Sequence, residues 1–209
     1  KGSRFGRKEK ESAWQSAEVD ALYKLAAAGV RVPRPYGFFD GVLLMELVCD
    51  RDGNVAPRLA EVELTPDDAA AFHRTLIGEV VRMLCAGLVH GDLSEFNILV
   101  DAHGPVIIDL PQAVDAARNN HAKRMLERDV ANLADYLGQF APGLLGTDFG
   151  NEIWAHYEAG TLTPETPLTG EFAQPTELAD VEAVLKEIED VRAEAMRRQE
   201  WLAAEQAEQ

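Results

Sequence analysis

Residues 88–100, LVHGDLSEFNILV, place several side chains that can carry protons or bind metals between two short apolar runs. Asp92 and Asn97 stand five residues apart in this stretch, and a later apolar run, residues 106–110, contains Asp109 near its end. One carboxylate can orient an acceptor hydroxyl and take its proton, while an amide oxygen and a second carboxylate can hold Mg²⁺ against nucleotide phosphates. The pattern D-x-x-x-x-N, followed by an aspartate on a paired strand, therefore predicts phosphoryl transfer.

Each of these residues also has a structural interpretation. Asp92 can cap a turn and Asn97 can end one, so their spacing alone carries little weight. The weight comes from Asp109, which follows a predicted hairpin at the right distance. We expect His90 to pack or hydrogen-bond so that it holds the loop, rather than to act as a base. Ser94 is expected either to hydrogen-bond within the loop or to approach phosphate.

The helices that must position these residues are predicted from apolar spacing and capping signals. Gly29 is a candidate C-cap for a first helix, because glycine adopts the left-handed conformation at low cost. Thr65 and Pro66 mark the start of a second helix, since threonine caps and proline suits the first helical position. Helices are predicted over residues 11–28, 66–86, 121–140, 148–159 and 177–206, with an irregular Thr/Pro-rich loop over residues 161–175.

Two β-hairpins are predicted from short apolar runs. Residues 36–39 and 42–48 flank Asp40-Gly41, a dipeptide that favours a tight hairpin turn. Residues 98–110 form the second hairpin, with its turn at residues 101–104. The second hairpin is expected to bring its two polar ends together.

Composition narrows the class of protein. A chain of 209 residues with 46% hydrophobic residues can form one packed domain, with or without an appendage. Its net charge of −16 argues against broad nucleic-acid binding, which depends on Lys and Arg side chains that neutralise phosphates. Cys49 and Cys85 have no ligand spacing, which is typical of reduced cysteines in a cytosolic protein. No apolar run reaches the roughly 20 residues of a membrane span.

These motifs resemble those of the RIO family of atypical serine/threonine protein kinases. The family's catalytic and metal-binding motifs are similar to HGDLSEFNILV and VIIDLPQAV. Its helix C, hinge and later helix are similar to AWQSAEVDALYKLAAAGVRVPRP, LLMELV and ERDVANL. The resemblance covers at least residues 11–160. It implies an α+β, protein-kinase-like fold: a remnant of the N-terminal lobe with the hinge (residues 1–48), a helical C-terminal lobe (49–175) and a long C-terminal helix (176–209).

The resemblance implies a role for each matching residue. Asp92 is expected to be catalytic, and Asn97 and Asp109 to bind Mg²⁺, with Mn²⁺ as an alternative; Asp109 is also a candidate phosphoacceptor. The expected nucleotide-binding set consists of Glu18 as the partner of a strand lysine, Met45 as gatekeeper, the backbones of Glu46 and Val48 at the adenine, and Ser94.

The implied activity is that of an ATP- and Mg²⁺-dependent serine/threonine kinase or ATPase with autophosphorylation. The implied setting is the cytoplasm, with a protein or ribosome-assembly partner and without a membrane. The net charge of −16 gives no indication of direct nucleic-acid contact. Two alternatives stay open: a small-molecule phosphotransferase of the aminoglycoside or choline kinase type, and a nucleotide-sensitive assembly factor. The acceptor separates the first from a protein kinase, and replacement of Asp92 separates the second from either enzyme.

Two family elements have no match in the chain. A Gly-rich phosphate loop and a Val-Ala-x-Lys strand are both expected upstream of Lys1, and without them weak ATP binding is expected. Only about ten residues separate Asp109 from the next predicted helix, and no A-P-E motif follows. This short connection makes broad phosphorylation of protein substrates doubtful.

Overall fold

The computed structural model describes residues 17–172, and these belong to one compact unit that ends at Phe172. They form an α+β fold with four α-helices and three two-stranded antiparallel sheets within the described range. The predicted C-terminal helix, residues 177–206, lies outside this range, as do residues 1–16. None of the helices in the described part of the chain is long and apolar enough to cross a membrane.

Helix α1 covers residues 17–27 and ends where the sequence predicts. Gly29 has a φ of 75°, and the Val30 N–H donates to the Leu25 carbonyl at 3.1 Å, which closes the C-cap. Leu22 and Leu25 are buried, so the apolar face of α1 packs into the main core.

Helix α2 spans Pro66–Cys85 and begins with the predicted cap. The Asp68 N–H donates to Thr65 Oγ1 at 3.1 Å, and the Thr65 N–H donates back to the Asp68 carboxylate at 3.4 Å. The predicted apolar face is buried, except that Phe72 is only partly so. Two polar side chains, His73 and Glu79, are buried on this helix, which apolar spacing did not predict.

Helices α3 (Ala122–Gly138) and α4 (Phe149–Glu158) are also where the sequence predicts them. Both bury apolar residues in the same core as α1 and α2. Residues 161–172 contain no helix or strand, in agreement with the predicted loop. The buried Glu152 on α4 accepts hydrogen bonds from the backbone N–H and the hydroxyl of Thr169 and from the Gly170 N–H, and so anchors this loop.

Strands β1 (Pro35–Phe39) and β2 (Val42–Met45) form the first predicted hairpin. Asp40 and Gly41 both have positive φ, 51° and 81°, which is the backbone geometry of a type I′ turn. Strand β2 ends at Met45 and not at the predicted residue 48. The chain leaves the hairpin there because Val48 packs instead into a small separate apolar cluster.

The second predicted hairpin consists of β4 (Ile98–Asp101) and β5 (Gly104–Ile107). A further pair, β3 (Leu88–Val89) with β6 (Val114–Asp115), was not predicted. Strands of two residues are too short to show an alternating pattern. Both pairs border the loop His90–Asn97, since β3 directly precedes this loop and β4 directly follows it.

Candidate active site

Side chains of helix α3 hold the loop between β3 and β4 by hydrogen bonds to its backbone. The carboxylate of Asp129, only 1% exposed, accepts the Gly91 N–H at 2.7 Å and the Leu93 N–H at 3.0 Å. Arg128 donates to the Gly91 carbonyl, and Asn132 Nδ2 donates to the Leu93 carbonyl at 3.1 Å. Because both neighbours of Asp92 are buried and bound, its own side chain is presented to solvent. This is the placement that a catalytic carboxylate needs.

The hydrogen bonds of Asp129 depend on the charge state of its carboxylate. The pKa of Asp129 is raised overall, because the effect of burial exceeds the opposing effects of the two N–H donors and of the nearby Arg128. Each carboxylate oxygen accepts one N–H, and only an ionised carboxylate has two oxygens that both act purely as acceptors. The hydrogen bonds therefore favour the charged form, which suits the exposed and positive Arg128 beside it.

His90 joins the loop to the residues before Asp109. Its ring is 2% exposed; Nδ1 lies 3.3 Å from the Asp92 backbone nitrogen and Nε2 lies 3.0 Å from the Ile108 carbonyl oxygen. The backbone N–H of Asp92 must donate to Nδ1, so the ring proton is on Nε2 and donates to Ile108. Both ring nitrogens are thus used, which confirms the prediction that His90 holds the loop.

Asn97 links the loop between β3 and β4 to the segment that contains Asp109, through both its side chain and its backbone. Its Nδ2 donates to the Asp92 carbonyl at 2.9 Å, and its own carbonyl accepts the Ile108 N–H at 3.0 Å. With the amide nitrogen fixed in this way, the amide oxygen Oδ1 is left to bind a ligand. Asp109 follows Ile108 directly, so its backbone is anchored next to Asn97.

Asp109 has an uncommon backbone conformation. Its φ is 67°, and it shares a positive φ with Asp40 alone among the non-glycine residues that the structure describes. A positive φ is sparsely populated for residues with a Cβ and persists where the surroundings impose it. The side chain of Asp109 is exposed, while Leu110 after it is buried. The buried neighbour fixes the chain, and the carboxylate stays accessible.

Glu18 on α1 lies near enough to Asp109 for the two charges to interact. Burial raises the pKa of Glu18, and the negative charge of Asp109 raises it further. Two neighbouring carboxylates are stabilised by a cation between or beside them. Glu18, the predicted partner of a lysine, is thus close enough to Asp109, the predicted metal ligand, for their charges to interact.

The side chains of Asn97 and Asp109 offer oxygen atoms of the kind that a hard divalent cation binds. An amide oxygen from Asn97 and a carboxylate from Asp109 are oxygen ligands of the kind that Mg²⁺ and Mn²⁺ accept. Within residues 17–172, no group of three or more His, Cys, Asp or Glu side chains is arranged to hold a metal. A site with one carboxylate and one amide does not require such a group, because Mg²⁺ keeps several waters.

The predicted adenine-binding segment follows β2. The Glu46 N–H donates to the Arg34 carbonyl at 2.8 Å, and the Val48 carbonyl accepts the Ala56 N–H at 3.0 Å. Within the described residues, this leaves the Glu46 carbonyl and the Val48 N–H for a ligand. Met45 is 48% exposed rather than a core residue, so its side chain is also open to contact.

Ser94 begins the short 3₁₀ turn Glu95–Asn97, and its hydroxyl caps none of the turn's N–H groups. Its carbonyl accepts the Asn97 N–H at 3.0 Å. Ser94 is therefore part of the frame that orients Asn97, and its half-buried hydroxyl lies two residues from Asp92.

Asp129, Arg128, Asn132 and Gly91 were not assigned roles from the sequence. One signal was present: Asp129 lies on the apolar face of α3, between the buried residues Leu126 and Leu133. A carboxylate on a buried helix face needs a partner, and here the partner is the backbone of the loop between β3 and β4.

The helices and small sheets, with the loop between β3 and β4 held beside the segment after β5, are typical of a protein-kinase-like fold. The family model of the RIO domain matches residues 1–147, which is well over half of the chain. The chain therefore belongs to the RIO domain family, and this confirms the α+β, kinase-like fold inferred from its motifs.

Similar proteins from three organisms have names that include RIO1 or Rio1. The chain is 42% identical over 125 residues to the RIO-type serine/threonine-protein kinase Rio1 of Haloferax volcanii, covering 59% of this chain and 41% of that protein. It is 36% identical over 134 residues to the RIO-type serine/threonine-protein kinase Rio1 of Thermoplasma acidophilum, covering 64% and 68%. It is 36% identical over 124 residues to the serine/threonine-protein kinase RIO1 of Homo sapiens, covering 59% and 22%. The chain thus spans less than half the length of two of these three relatives.

Proposed function

We propose that this protein is a RIO-type serine/threonine kinase or ATPase that transfers the γ-phosphoryl group of ATP. One observation supports the proposal: Asn97 Nδ2 donates to the Asp92 carbonyl and the Asn97 carbonyl accepts the Ile108 N–H, so Asn97 links the backbone of Asp92 to the residue before Asp109. The serine/threonine kinase names of the relatives support a protein acceptor over a small-molecule acceptor.

Asp92 is the residue that orients the acceptor hydroxyl or water and accepts its proton. The acceptor oxygen forms a bond to the γ-phosphorus, the bond from that phosphorus to the bridging oxygen breaks, and ADP leaves. Asp92 stays aimed at the acceptor because Asp129 holds the loop on both sides of it. This fixed geometry removes an orientation cost from the barrier.

Asn97 and Asp109 are the proposed ligands of a divalent cation, Mg²⁺ or Mn²⁺. When bound, the cation neutralises negative charge on the nucleotide phosphates. The Glu46 carbonyl and the Val48 N–H receive the adenine, Met45 is the gatekeeper, and Ser94 approaches the phosphates. Glu18 is the proposed partner of a lysine. The division into an N-terminal lobe remnant, a helical lobe and a C-terminal helix belongs to this proposal.

A cytoplasmic setting and a protein partner in ribosome assembly complete the proposal. They rest on the family resemblance alone. The net charge of −16 supports the absence of a broad nucleic-acid-binding surface.

The test measures ADP release and autophosphorylation by the purified chain with radiolabelled ATP and MgCl₂. Asp92→Asn is expected to lower turnover by about 10²–10⁴-fold, the usual contribution of a general base. Nucleotide binding should be retained, because Asp92 is exposed and its replacement leaves the backbone hydrogen bonds in place. Asp135→Asn on α3, also exposed, is the matched control and should retain full turnover. Equal turnover in both variants would contradict the proposal.

The metal requirement is tested separately. A chelator should abolish turnover, and Asp109→Asn should raise the Mg²⁺ concentration needed for half-maximal turnover by more than tenfold. Replacing Mg²⁺ by Mn²⁺ tests which ion the site prefers. Unchanged metal dependence in the Asp109 variant would remove this residue from the ligand set.

A further inference from the structure

A cavity of about 430 Å³ lies at the turn of the second hairpin, away from the candidate active site. It is lined by parts of residues 50–62, by the start of α2 and by residues 100–104. We propose that this cavity docks a segment of a partner protein in which an apolar side chain lies beside Lys or Arg side chains. Docking needs no catalysis, so the inference goes beyond the proposed function.

The cavity and the candidate active site lie at opposite ends of the second hairpin. Strand β4 begins directly after Asn97, and the turn that follows β4 lines the cavity. Extended strand between Asn97 and Asp101 separates the two by about 13 Å, at roughly 3.3 Å per residue. None of the residues that line the cavity belongs to the proposed catalytic, metal-binding or nucleotide-binding set. A segment can therefore occupy the cavity while the site holds nucleotide.

Part of the lining is apolar. Phe72 is predicted to lie on the buried face of α2, but it is only partly buried and lines the cavity. Pro57, Val62 and Val100 line it as well, and each is also only partly buried. Covering such side chains is favourable by about 25 cal/mol per Å² of apolar surface removed from water. The cavity therefore favours an occupant with an apolar side chain.

The charged part of the lining is mainly acidic. Four carboxylates contribute to it, together with one arginine and one histidine: Asp50, Asp52, Asp68 and Asp101, with Arg51 and His103. Arg31 pairs with Asp101 at 2.6 Å, which still leaves three carboxylates against one arginine. Asp52 is exposed, and its carboxylate accepts no hydrogen bond from the described residues. The cavity therefore has an excess of negative charge to offer a cationic side chain.

Hydrogen bonds fix the shape of the cavity before anything binds. Asp50 Oδ1 accepts the backbone N–H of Asn54 at 2.9 Å, which closes the loop after β2. The Val100 N–H donates to the Pro57 carbonyl at 2.9 Å and so joins this loop to the second hairpin. Because the lining is already ordered, a docked segment does not have to supply the free energy of ordering it. The volume also falls within the range of about 300–1,000 Å³ that is usual for binding sites.

Charge and spacing select a protein segment as the occupant. The carboxylates of the cavity repel the phosphates of a nucleic acid. They are also not gathered around one point, since no group of three or more His, Cys, Asp or Glu in the described part of the chain is arranged to hold a metal ion. Separate carboxylates around an apolar lining are complementary to an apolar side chain flanked by Lys or Arg. Because the connection after Asp109 is short, a docking surface outside the active site can supply recognition that this connection does not.

The experiment measures binding of three fluorescent peptides of one length by anisotropy, without ATP. The first peptide combines leucines with arginines, the second has serine for each leucine, and the third has glutamate for each arginine. Asp52→Lys tests the charge of the cavity, and Phe72→Ala tests its apolar part. Asp135→Lys and Tyr23→Ala are the matched controls, at exposed positions on α3 and α1. If Phe72→Ala does not fold, Asp52→Lys decides, because Asp52 is exposed.

The wild-type protein should bind the leucine–arginine peptide about tenfold more tightly than either other peptide, and less tightly at high salt. Asp52→Lys should weaken this binding by about threefold, the usual weight of one exposed charge pair, with unchanged acceptor-independent ADP release. Phe72→Ala should weaken it by about tenfold, and both controls should bind like the wild type.

Three results would overturn the inference: equal affinity for the three peptides, wild-type affinity in the Asp52 variant, or displacement of the peptide by ADP or by an equal concentration of spermidine. Displacement by ADP would place the peptide in the nucleotide site, and displacement by spermidine would show that charge alone is recognised. Asp92→Asn should retain peptide binding, which separates this inference from the proposed function. Turnover without selective peptide binding would contradict the docking cavity alone, whereas selective binding without turnover would contradict the proposed function alone.

Discussion

His90 Nε2 lies 3.0 Å from the carbonyl oxygen of Ile108, the residue directly before Asp109. The same ring receives the backbone N–H of Asp92 on its other nitrogen. One buried imidazole therefore sets the position of the proposed catalytic loop relative to the proposed metal ligand. A motif histidine that resembles a base acts here as a bridge between two backbones.

Removing this bridge should reduce activity without removing the catalytic groups. His90→Phe keeps the ring volume but leaves the Ile108 carbonyl and the Asp92 N–H without this partner. We expect the free energy of unfolding to fall by about 1–3 kcal/mol, the cost of unsatisfied buried polar groups. ATP turnover should fall with little change in nucleotide affinity. Denaturant unfolding and steady-state kinetics test this, with His103→Phe at an exposed position as control. Wild-type turnover in the His90 variant would show that the bridge is dispensable.

Asp129→Asn tests the anchor on α3. An amide has one acceptor oxygen, so one of the two N–H groups of Gly91 and Leu93 would face an NH₂ group. The expected loss in the free energy of unfolding is about 2–3 kcal/mol, typical of a lost hydrogen bond to a charged group. Asp135→Asn lies on the same helix but is exposed, and should change stability by less than about 0.5 kcal/mol. Equal stabilities for the two variants would argue against the anchor.

Gly91→Ala tests the close approach of the proposed catalytic loop to the residues after Asp109. Gly91 has a φ of 83°, and a Cβ there would lie 2.8 Å from the carbonyl oxygen of Gln112, a backbone atom that cannot turn aside. Gly160 is a matched control because its φ is 67° and no atom lies within 4 Å of its Cβ position.

Both glycine variants carry the cost of a positive φ, about 1–2 kcal/mol. Gly91→Ala should cost a further 1–3 kcal/mol, roughly the penalty of overpacking, and should lower turnover. Thermal or chemical unfolding measures the difference between the two. If both variants lose the same stability, the contact with Gln112 has no energetic weight.

His73 should make stability depend on pH. Its ring is 3% exposed, packs on Phe149 with ring centroids 5.5 Å apart, and leaves Nε2 without a hydrogen-bond partner in the described residues. Burial lowers the pKa of His73 below the value of about 6.5 for an unfolded chain. Unfolding therefore takes up a proton below about pH 6.5, so the free energy of unfolding falls as pH decreases from there.

The measurement is the free energy of unfolding between pH 7.5 and 5.5. His73→Phe should remove the part of the slope that His73 contributes, and the exposed-site variant His103→Phe should keep it. A slope unchanged by the His73 variant would mean that other groups cause the pH dependence.

The local elements were predictable because each depends on neighbours in sequence. The Asp40-Gly41 turn, the Thr65 cap with Pro66, and Gly29 after α1 all follow from backbone preferences of single residues. The D-x-x-x-x-N motif with Asp109 after a hairpin also pointed to the RIO family, and the match of the family model confirms this. The predicted end of β2 at residue 48 was wrong, because Val48 packs in a separate apolar cluster. The local sequence pattern does not show this contact.

The sequence by itself therefore determined the helices and the two longer hairpins of the described residues, the motif and the family. Only the tertiary structure decided what holds the motif in place. Asp129 lies 36 residues after Leu93, and Ile108 lies 18 residues after His90; the hydrogen bonds between them form only when α3 and the second hairpin pack beside the loop. Long-range hydrogen bonds leave no periodic trace, because one buried acid or imidazole looks the same in sequence whatever it contacts. For that reason the anchor of the site had to be read from the fold.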